Sequence, residues 1–323
     1  MSTLAAFEHG GPDALGTPAH DFSTNANACG PCPQAQSAVA EADASRYPDP
    51  SYSGLREALA EFHGVDPSRI HVAASGSEFI ARITAAVQRR GGQCVHAPRP
   101  GYGDYARAAL AVGMRLVAPE DANLVWHGDP ASPTGQSAAP PKLPPGAVGV
   151  MDMAYAPLRL EGMGAKHDGY WQLWTPNKAL GLTGVRAAYA VAPAVADEEL
   201  LRTLHALMPS WPIGAHGVAL LQSWTEPFVQ QWLQECMPVL RQWKLRQLQT
   251  CESLGWQCLP SGTSFFCARR LANDLPALLK HLRAGHSIKL RDATSLGLPG
   301  HVRLNVLAPA AQDALHQALL RWR

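Results

Sequence analysis

The stretch TPNKALGLTGVRAAYAV, residues 175 to 191, decides the predicted fold. Lys178 leaves one predicted strand, two glycines follow, and Arg186 opens the next strand. In a small apolar loop an ammonium group is poorly solvated, so the pKa of Lys178 falls and its free amine becomes available for a Schiff base with an aldehyde. Arg186 is then placed to bind a phosphate. Because a surface lysine in a glycine-rich loop would show the same sequence, the neighbouring motifs must decide between the two interpretations.

The segment MDMAY lies upstream and ends an apolar strand with the carboxylate of Asp152, followed by Tyr155. A carboxylate at the end of a buried strand lowers the stability of the fold unless a hydrogen-bond donor or a cation pairs with it. Beside a pyridine nitrogen, Asp152 would keep that nitrogen protonated and preserve the ring as an electron sink, while Tyr155 could donate a hydrogen bond to the phenolic oxygen of the ring. A capping aspartate at the strand end is the structural alternative.

A third motif, Ser75-Gly76-Ser77, lies in a predicted turn between a strand and a helix. Free backbone N–H groups, the helix dipole and a glycine that allows close approach suit a phosphate at such a turn. Tyr102, in PGYGDY, follows another strand and could stack on an aromatic ring. Each of these two signals is weak by itself.

The order of elements around these motifs predicts the fold class. Most of the short apolar runs lack two-residue alternation, and helices lie between several of them, which indicates a sheet covered on both faces. A mainly parallel α/β sheet follows, with its ligand at the carboxyl ends of the strands. The runs cover residues 70–74, 93–97, 114–117, 124–127, 148–152, 170–174 and 187–192.

Three regions are predicted along the chain. Residues 1–45 carry Gly, Pro and Asn without apolar periodicity and are interpreted as an N-terminal arm. Residues 46–212 form the large domain. Residues 213–323 hold a helical connector, interrupted by Pro227 and Pro238, and a smaller α+β domain.

Composition excludes several classes of protein. The 323 residues carry a net charge of +1, so no electrostatic footprint for nucleic acid or an anionic membrane is expected. No basic leader and no apolar run of about 18 residues is present, and a cytoplasmic protein is expected. Charged residues make up only 16%, below the roughly 25% of typical domains, which favours a surface covered by a partner subunit.

The seven cysteines are odd in number and scattered, which favours reduced thiols. Cys29-Gly-Pro-Cys32 spells a thioredoxin-type tetrapeptide, but it lies in the arm without the preceding strand and following long helix that a redox motif requires. No second Cys or His pair has finger-like spacing, so no metal site is predicted.

Taken together, the motifs resemble the aspartate aminotransferase fold of pyridoxal-phosphate enzymes, in the branch of histidinol-phosphate aminotransferase and threonine-phosphate decarboxylase. The resemblance covers nearly the whole chain, and the lysine loop is its most specific part. It implies an α/β large domain with a mainly parallel seven-stranded sheet flanked by helices, a smaller α+β C-terminal domain, and pyridoxal 5'-phosphate as cofactor. The motifs occur in the family's order: HGG from His9, DFSTNAN from Asp21, RYPDP from Arg46, SGSE from Ser75, PGYGDY from Pro100, SPTG from Ser132, DMAY from Asp152, NKALGLTGVR from Asn177 and VRLN from Val302.

The resemblance also implies roles for individual residues. Lys178 resembles the internal-aldimine lysine and proton shuttle, Asp152 the partner of the pyridine nitrogen, and Tyr155 the partner of the phenolic oxygen. Tyr102 would stack on the cofactor ring. The implied phosphate ligands are Gly76, Ser77, Thr175 and Arg186, with Tyr47 contributed by the neighbouring subunit of a homodimer.

For the substrate, the resemblance implies that Arg303 binds the α-carboxylate, for which its planar fork is suited. Arg291 matches a position that contacts a substrate phosphate. Asn25 and His9 are the remaining candidate substrate contacts, although a surface histidine is the simpler interpretation of His9.

Two positions depart from the family pattern. Ser132 stands where the family usually has asparagine before Pro-Thr-Gly, so a hydrogen bond to the phenolic oxygen is lost or becomes water-mediated. Asn177 replaces the usual serine or threonine before the lysine, which removes a hydroxyl that often touches the phosphate.

The resemblance implies an aminotransferase that acts on an amino acid or amino-phosphate. The alternative is a decarboxylase like the threonine-phosphate enzyme of cobalamin biosynthesis, which the HGG and DFS segments of the arm favour. A catalytically silent member of the fold is the third possibility, because Ser132 and Asn177 depart from the pattern. Transamination ranks first on its frequency in this fold, by analogy.

Overall fold

The computed structural model describes residues 10–164, 169–270 and 274–322. Its helices are α1 (Pro33–Ala40), α2 (Ser53–His63), α3 (Gly76–Arg89), α4 (Gly103–Ala111), α5 (Glu198–Ala206), α6 (Ala215–Thr225), α7 (Pro227–Ser253), α8 (Leu275–His286) and α9 (Pro309–Leu320). Its strands are β1 (His20–Asp21), β2 (Ile70–Ala73), β3 (Cys94–His96), β4 (Arg115–Leu116), β5 (Leu124–Gly128), β6 (Val148–Asp152), β7 (Tyr170–Trp174), β8 (Ala188–Val191), β9 (Trp256–Cys258), β10 (Phe265–Arg270), β11 (Ile288–Lys289), β12 (Arg291–Asp292) and β13 (Val302–Asn305).

The large domain is built on a seven-stranded sheet in the order β2-β8-β7-β6-β5-β3-β4. β8 pairs antiparallel with both β2 and β7, and every other pairing is parallel. The predicted mainly parallel α/β sheet is confirmed. In the register of the central strands, Asp152 pairs with Gly128 on one side and Leu173 on the other, so the carboxyl ends of β5, β6 and β7 meet at one edge.

Helices cover both faces of this sheet, as the continuous apolar strands require. On one face α3, α4 and α5 enclose a core that includes Phe79, Trp126 and Trp171. On the other face α1, α2, α6 and α7 pack around Tyr189 and Trp224. All five of these aromatic side chains are buried, and their burial fixes the strand edge that carries the site.

The small domain is a four-stranded antiparallel sheet, β12-β13-β10-β9, packed with α8 and α9. The N-terminal arm takes part in it, since β1 pairs in parallel with β11 and Phe22 is fully buried in the same core. The arm also contains α1, which the sequence pattern did not indicate because only Ala35 of its eight residues is buried. The structure therefore ties the beginning of the described chain to its end.

The connector consists of two helices. Pro227 occupies the first turn of α7, where its missing N–H costs no hydrogen bond, and the break predicted at this residue is confirmed. The break predicted at Pro238 is wrong, because α7 runs through it for 27 residues. Buried Leu233 and Leu240 on either side hold the helix on the core, which offsets the lost backbone bond. Of the helices in the described parts of the chain, none is long and apolar enough to cross a membrane.

Candidate active site

A cleft of about 270 Å³ lies at the carboxyl ends of β5, β6 and β7, between the large domain, the arm and the small domain. Two walls enclose it. The large-domain wall comes from the loops after β2, β3, β5, β6 and β7, and the small-domain wall comes from the arm and β13. Among the residues that line the cleft are eleven predicted from the sequence: Asn25, Gly76, Ser77, Tyr102, Ser132, Asp152, Tyr155, Thr175, Lys178, Arg186 and Arg303.

Lys178 lies in the loop after β7, and its Nζ donates a hydrogen bond to Thr175 Oγ1 at 3.1 Å. The same nitrogen lies 5.5 Å from the centre of the Tyr155 ring. Burial lowers the pKa of Lys178; the Asp152 carboxylate opposes this shift, and Arg186 and Arg303 add to it. The structure thus holds an amine with weakened proton affinity inside a cleft, as the sequence predicted for a nucleophilic lysine.

Asp152 ends β6 with its carboxylate held at both oxygens. Oδ1 accepts the backbone N–H of Ala154 at 2.9 Å, and Oδ2 accepts the Tyr105 hydroxyl at 2.6 Å. Tyr105 was not predicted as a site residue, although it stands three positions after Tyr102 in the PGYGDY motif. Its ring lies flat on Trp126, with centroids 4.6 Å apart and planes 6° from parallel.

The phosphate motif begins α3, rather than forming a turn before it. Ser75 caps the helix by accepting the Glu78 N–H at 3.1 Å, so the helix starts at Gly76 and its first amides open onto the cleft. A Cβ at Gly76 would lie 3.0 Å from the Thr175 methyl group, which explains the glycine. A narrow space is left between the N-terminus of α3 and the loop that holds Lys178. It lies at the positive end of the α3 dipole, where an anion is stabilised.

The Ser77 hydroxyl is engaged elsewhere. It donates to Asp104 Oδ2 at 2.6 Å, and the Tyr102 hydroxyl donates to the same oxygen at 2.8 Å. Asp104 is buried and also pairs with Arg107 at 2.9 Å. Ser77 therefore offers its backbone N–H, rather than its hydroxyl, to an anion at the helix start. Asp104 was not predicted as a site residue. It lies in the first turn of α4, where an aspartate is common at the surface, so the sequence gives no sign of its burial.

Tyr102 and Tyr155 line the cleft from neighbouring loops. The hydroxyl of Tyr102 is fixed by Asp104, so its ring rather than its oxygen faces a ligand. Burial raises the pKa of Tyr155, and Arg303 opposes that rise, so the phenol remains a hydrogen-bond donor at neutral pH. Its ring packs edge-on against Phe265 at 4.6 Å.

Arg303 extends from β13 into the small-domain wall. Its Nη1 donates to Ser132 Oγ at 3.2 Å and its Nη2 to the Ser23 carbonyl at 3.0 Å. Its buried Nε finds no hydrogen-bond partner within the described residues. Ser132, which departs from the family pattern, thus contacts the arginine across the cleft. Asn177, the second residue that departs from the family pattern, stabilises the loop that holds Lys178. Its Nδ2 donates to the Val185 carbonyl at 3.3 Å.

Two predicted residues, Arg291 and Tyr47, lie apart from the cleft lining, and a third is not described. Arg291 is the register partner of Arg303, but its guanidinium donates to the Asp292 carbonyl and to Ser295 Oγ, each at 2.8 Å. Tyr47 is 76% exposed and stacks on Trp211 at 4.3 Å. His9 lies outside the described residues. The roles assigned to these three residues stay predictions, as do the roles of the eleven residues that line the cleft.

Comparison with known proteins identifies the class. The chain belongs to the aminotransferase class I and II family, whose sequence model matches residues 18–123 and 114–321. The chain is 29% identical to a histidinol-phosphate aminotransferase from Roseobacter denitrificans, over 94% of this chain and 91% of the relative.

Solved structures share the fold. Histidinol-phosphate aminotransferase from Sinorhizobium meliloti, in complex with pyridoxal-5'-phosphate, superposes with a TM-score of 0.81 at 22% identity, covering 99% of this chain and 97% of that one. L-threonine-O-3-phosphate decarboxylase from Porphyromonas gingivalis superposes with a TM-score of 0.76 at 20% identity, covering 93% and 98%. The predicted family and fold are confirmed.

Class I and II aminotransferases use pyridoxal phosphate, and the cleft fits this group. The α3 start and Arg186 suit the phosphate, Asp152 the ring nitrogen, and Lys178 the aldehyde. A buried oxygen of Asn177 and the Nε of Arg303 have no partner within the described residues, as expected where a ligand completes the hydrogen bonding. In the described part of the chain no group of three or more metal-ligating side chains is present.

Proposed function

We propose that the protein is a pyridoxal-phosphate-dependent aminotransferase that attaches its cofactor through Lys178 and acts on an amino acid or amino-phosphate. The observation that supports this most directly is the half-buried Lys178 amine, whose pKa is lowered and which lines one cleft together with Asp152 and Arg186. When bound, the cofactor supplies an aldehyde for nitrogen and a ring that accepts electrons from the substrate Cα.

The residues of the large-domain wall handle the proton. With the cofactor bound, Lys178 Nζ would accept the proton that leaves the substrate Cα and return it in the amino-transfer direction. Burial lowers the pKa of Lys178, which favours the neutral amine that this role needs. Thr175 Oγ1, at 3.1 Å, holds that nitrogen in place between the two events. Asp152 would hold the ring nitrogen of the bound cofactor and keep it protonated.

The small-domain wall orients the substrate. Arg303 binds the α-carboxylate with a guanidinium whose Nε is unpartnered among the described residues and whose Nη atoms are fixed by Ser132 and Ser23. Arg291, on the neighbouring strand, receives a second anionic group after its guanidinium leaves Ser295. Asn25 completes this wall beside Tyr155.

The proposal includes a homodimer in which Tyr47 reaches the cofactor phosphate of the partner. Tyr47 is exposed, stacked on Trp211, and absent from the lining of its own cleft. An exposed aromatic pair of this kind is typical of a subunit interface.

Decarboxylation is the second candidate. The two glycines of HGG meet the DFS segment in the structure, since the Gly11 N–H donates to Ser23 Oγ at 2.9 Å. Gly10 and Ser23 both line the cleft. The segments that resemble the decarboxylase therefore contribute to the substrate side of the site.

Cofactor attachment is the first test. Purified protein incubated with pyridoxal phosphate should show visible absorbance that borohydride removes, and peptide mass spectrometry should place the fixed cofactor on Lys178. Lys244 is a matched internal control, because burial also lowers its pKa but it lies on α7 against Ser261 and Glu161. Labelling of Lys244 and Lys178 alike, or no labelling, contradicts the proposal.

A substrate panel then separates the two reactions. Amino acids with and without a phosphate are incubated with a 2-oxo acid, and both keto-acid formation and carbon dioxide release are measured. Amino transfer predicts a keto acid in stoichiometric amount with no gas. Carbon dioxide released at the rate of substrate loss would support the decarboxylase instead.

A further inference from the structure

Tyr105 lies in the first turn of α4 and has no role in the chemistry assigned above. Its ring is buried between Trp126, stacked at 4.6 Å, and Tyr102, edge-on at 5.6 Å. Its hydroxyl has one short hydrogen bond, to Asp152 Oδ2 at 2.6 Å. A buried phenol on a flat aromatic support has few conformations open to it, so this bond has a fixed direction.

The bond has a consequence for the carboxylate. Burial, and after it the nearby Asp152 charge, raise the pKa of Tyr105, so the phenol stays protonated and donates across the physiological range. Asp152 Oδ1 is held by the Ala154 N–H at 2.9 Å. With one oxygen fixed from its own loop and the other from α4, the carboxylate cannot rotate about its terminal bond without breaking a charge-assisted hydrogen bond.

We infer that Tyr105 is a positioning residue that fixes the plane of the Asp152 carboxylate toward the ring nitrogen of the cofactor. This inference rests on the proposed function. It adds to the proposed site a residue of α4 that supports Asp152 at the end of β6. Trp126, from β5, is the support on which Tyr105 is aligned. Within the described residues, Tyr155 and Lys178 also interact electrostatically with this carboxylate.

The test is a double-mutant cycle on the dissociation constant of pyridoxal phosphate, measured for wild type, Tyr105→Phe, Asp152→Asn and the double variant. In the wild-type background, Tyr105→Phe should raise the dissociation constant about 10-fold, the factor that one lost charge-assisted bond is worth. In the Asp152→Asn background the same change should have an effect below about twofold, because the group that it acts through is neutral.

A kinetic split supports the cycle. Tyr105→Phe should lower kcat about 10-fold and leave KM for the amino substrate within about twofold, since the Tyr105 hydroxyl is bonded to Asp152 and acts through that carboxylate. Tyr170→Phe is the matched control: it also removes one tyrosine hydroxyl bond, to the Pro141 carbonyl at 2.6 Å, on the same sheet and away from the cleft. This control should match wild type in both measurements.

Folding is checked by the thermal midpoint of each variant. If Tyr105→Phe folds poorly, Trp126→Phe is the second variant, because it keeps the Tyr105 hydroxyl and weakens the packing under its ring. It should raise the dissociation constant of pyridoxal phosphate about threefold when residue 152 is Asp and have no effect when it is Asn. Equal losses in both backgrounds, or no loss, overturn the inference alone. Failure of the wild type to bind pyridoxal phosphate overturns the proposed function and the inference together.

Discussion

The large-domain wall and the small-domain wall of the cleft differ in how their residues are held. In the large-domain wall Asp152 ends β6, Lys178 follows β7, and both are held by bonds from within that domain. In the small-domain wall Arg303 comes from β13 and is bonded to Ser23 of the arm and Ser132 of the large domain. The large-domain wall is therefore positioned by its own sheet. The small-domain wall forms only when the arm, β13 and the Ser132 loop come together.

This difference separates two kinds of function. A wall that is rigid without a ligand suits the cofactor, whose chemistry is common to the family and needs fixed partners. A wall assembled from the arm and the small domain can change its shape with the sequence of the arm, which suits the choice of substrate. Variants in the two walls should accordingly fail in different ways.

Lys178→Ala is expected to give the largest effect. Without the amine, the proton at the substrate Cα has no acceptor, so kcat should fall by at least about a thousandfold. Binding of the cofactor phosphate depends on α3 and Arg186 and should persist, measurable by equilibrium dialysis. Retention of a tenth of the wild-type kcat would place the proton acceptor elsewhere. Lys244→Ala is the comparison variant, with unaltered cofactor uptake.

Arg303→Lys tests the small-domain wall. The ammonium group cannot reproduce the planar fork, so KM for the amino substrate should rise about 50-fold while the cofactor dissociation constant stays unchanged. Arg269→Lys is a suitable control, because Arg269 is an exposed residue of β10 that bonds Gln257. A parallel loss of cofactor binding would show that the two walls are not independent.

The sequence predicted residues of both walls, but it missed residues that act only through another side chain. Asp152, Lys178 and Arg186 were found because a buried strand followed by a polar residue and glycines is visible in one stretch of sequence. Tyr105 and Asp104 were missed, since each acts through another side chain and such contacts exist only in three dimensions. The parallel sheet was predicted from continuous apolar runs, whereas the pairing of β1 with β11 spans nearly the whole chain and leaves no local pattern.

Arg291→Ala sharpens the comparison within the small-domain wall. If Arg291 binds a substrate phosphate, KM for phosphorylated substrates should rise about 10-fold, with KM for an unphosphorylated analogue within about twofold. Steady-state kinetics on a matched substrate pair gives this ratio directly. Equal losses for the two substrates would indicate that Arg291 only supports β12 through Asp292 and Ser295.

The smallest predicted effect concerns stability and the large domain. Burial lowers the pKa of His63 and of His71 to about 4, from 6.5. Between these values the unfolded chain binds more protons than the folded chain, so stability is complete above about pH 6.5 and falls as the pH drops toward 4. Each histidine should contribute on the order of 1 to 2 kcal/mol to this loss, because solvent reaches part of each ring and screens its charge.

Chemical denaturation at pH 7 and pH 4.5 measures the loss, and hydrogen exchange locates it. His63 hydrogen bonds the Tyr189 hydroxyl at 2.8 Å, and Trp224 Nε1 donates to the same oxygen, so charging His63 should weaken protection around β8 before it weakens β13. His71→Phe should reduce the pH dependence, whereas exposed His216→Gln should leave it unchanged. If β13 loses protection first, the small-domain wall is the less stable of the two for a reason other than these histidines. The difference between the two walls would then be supported only by the kinetics of the Lys178, Arg303 and Arg291 variants.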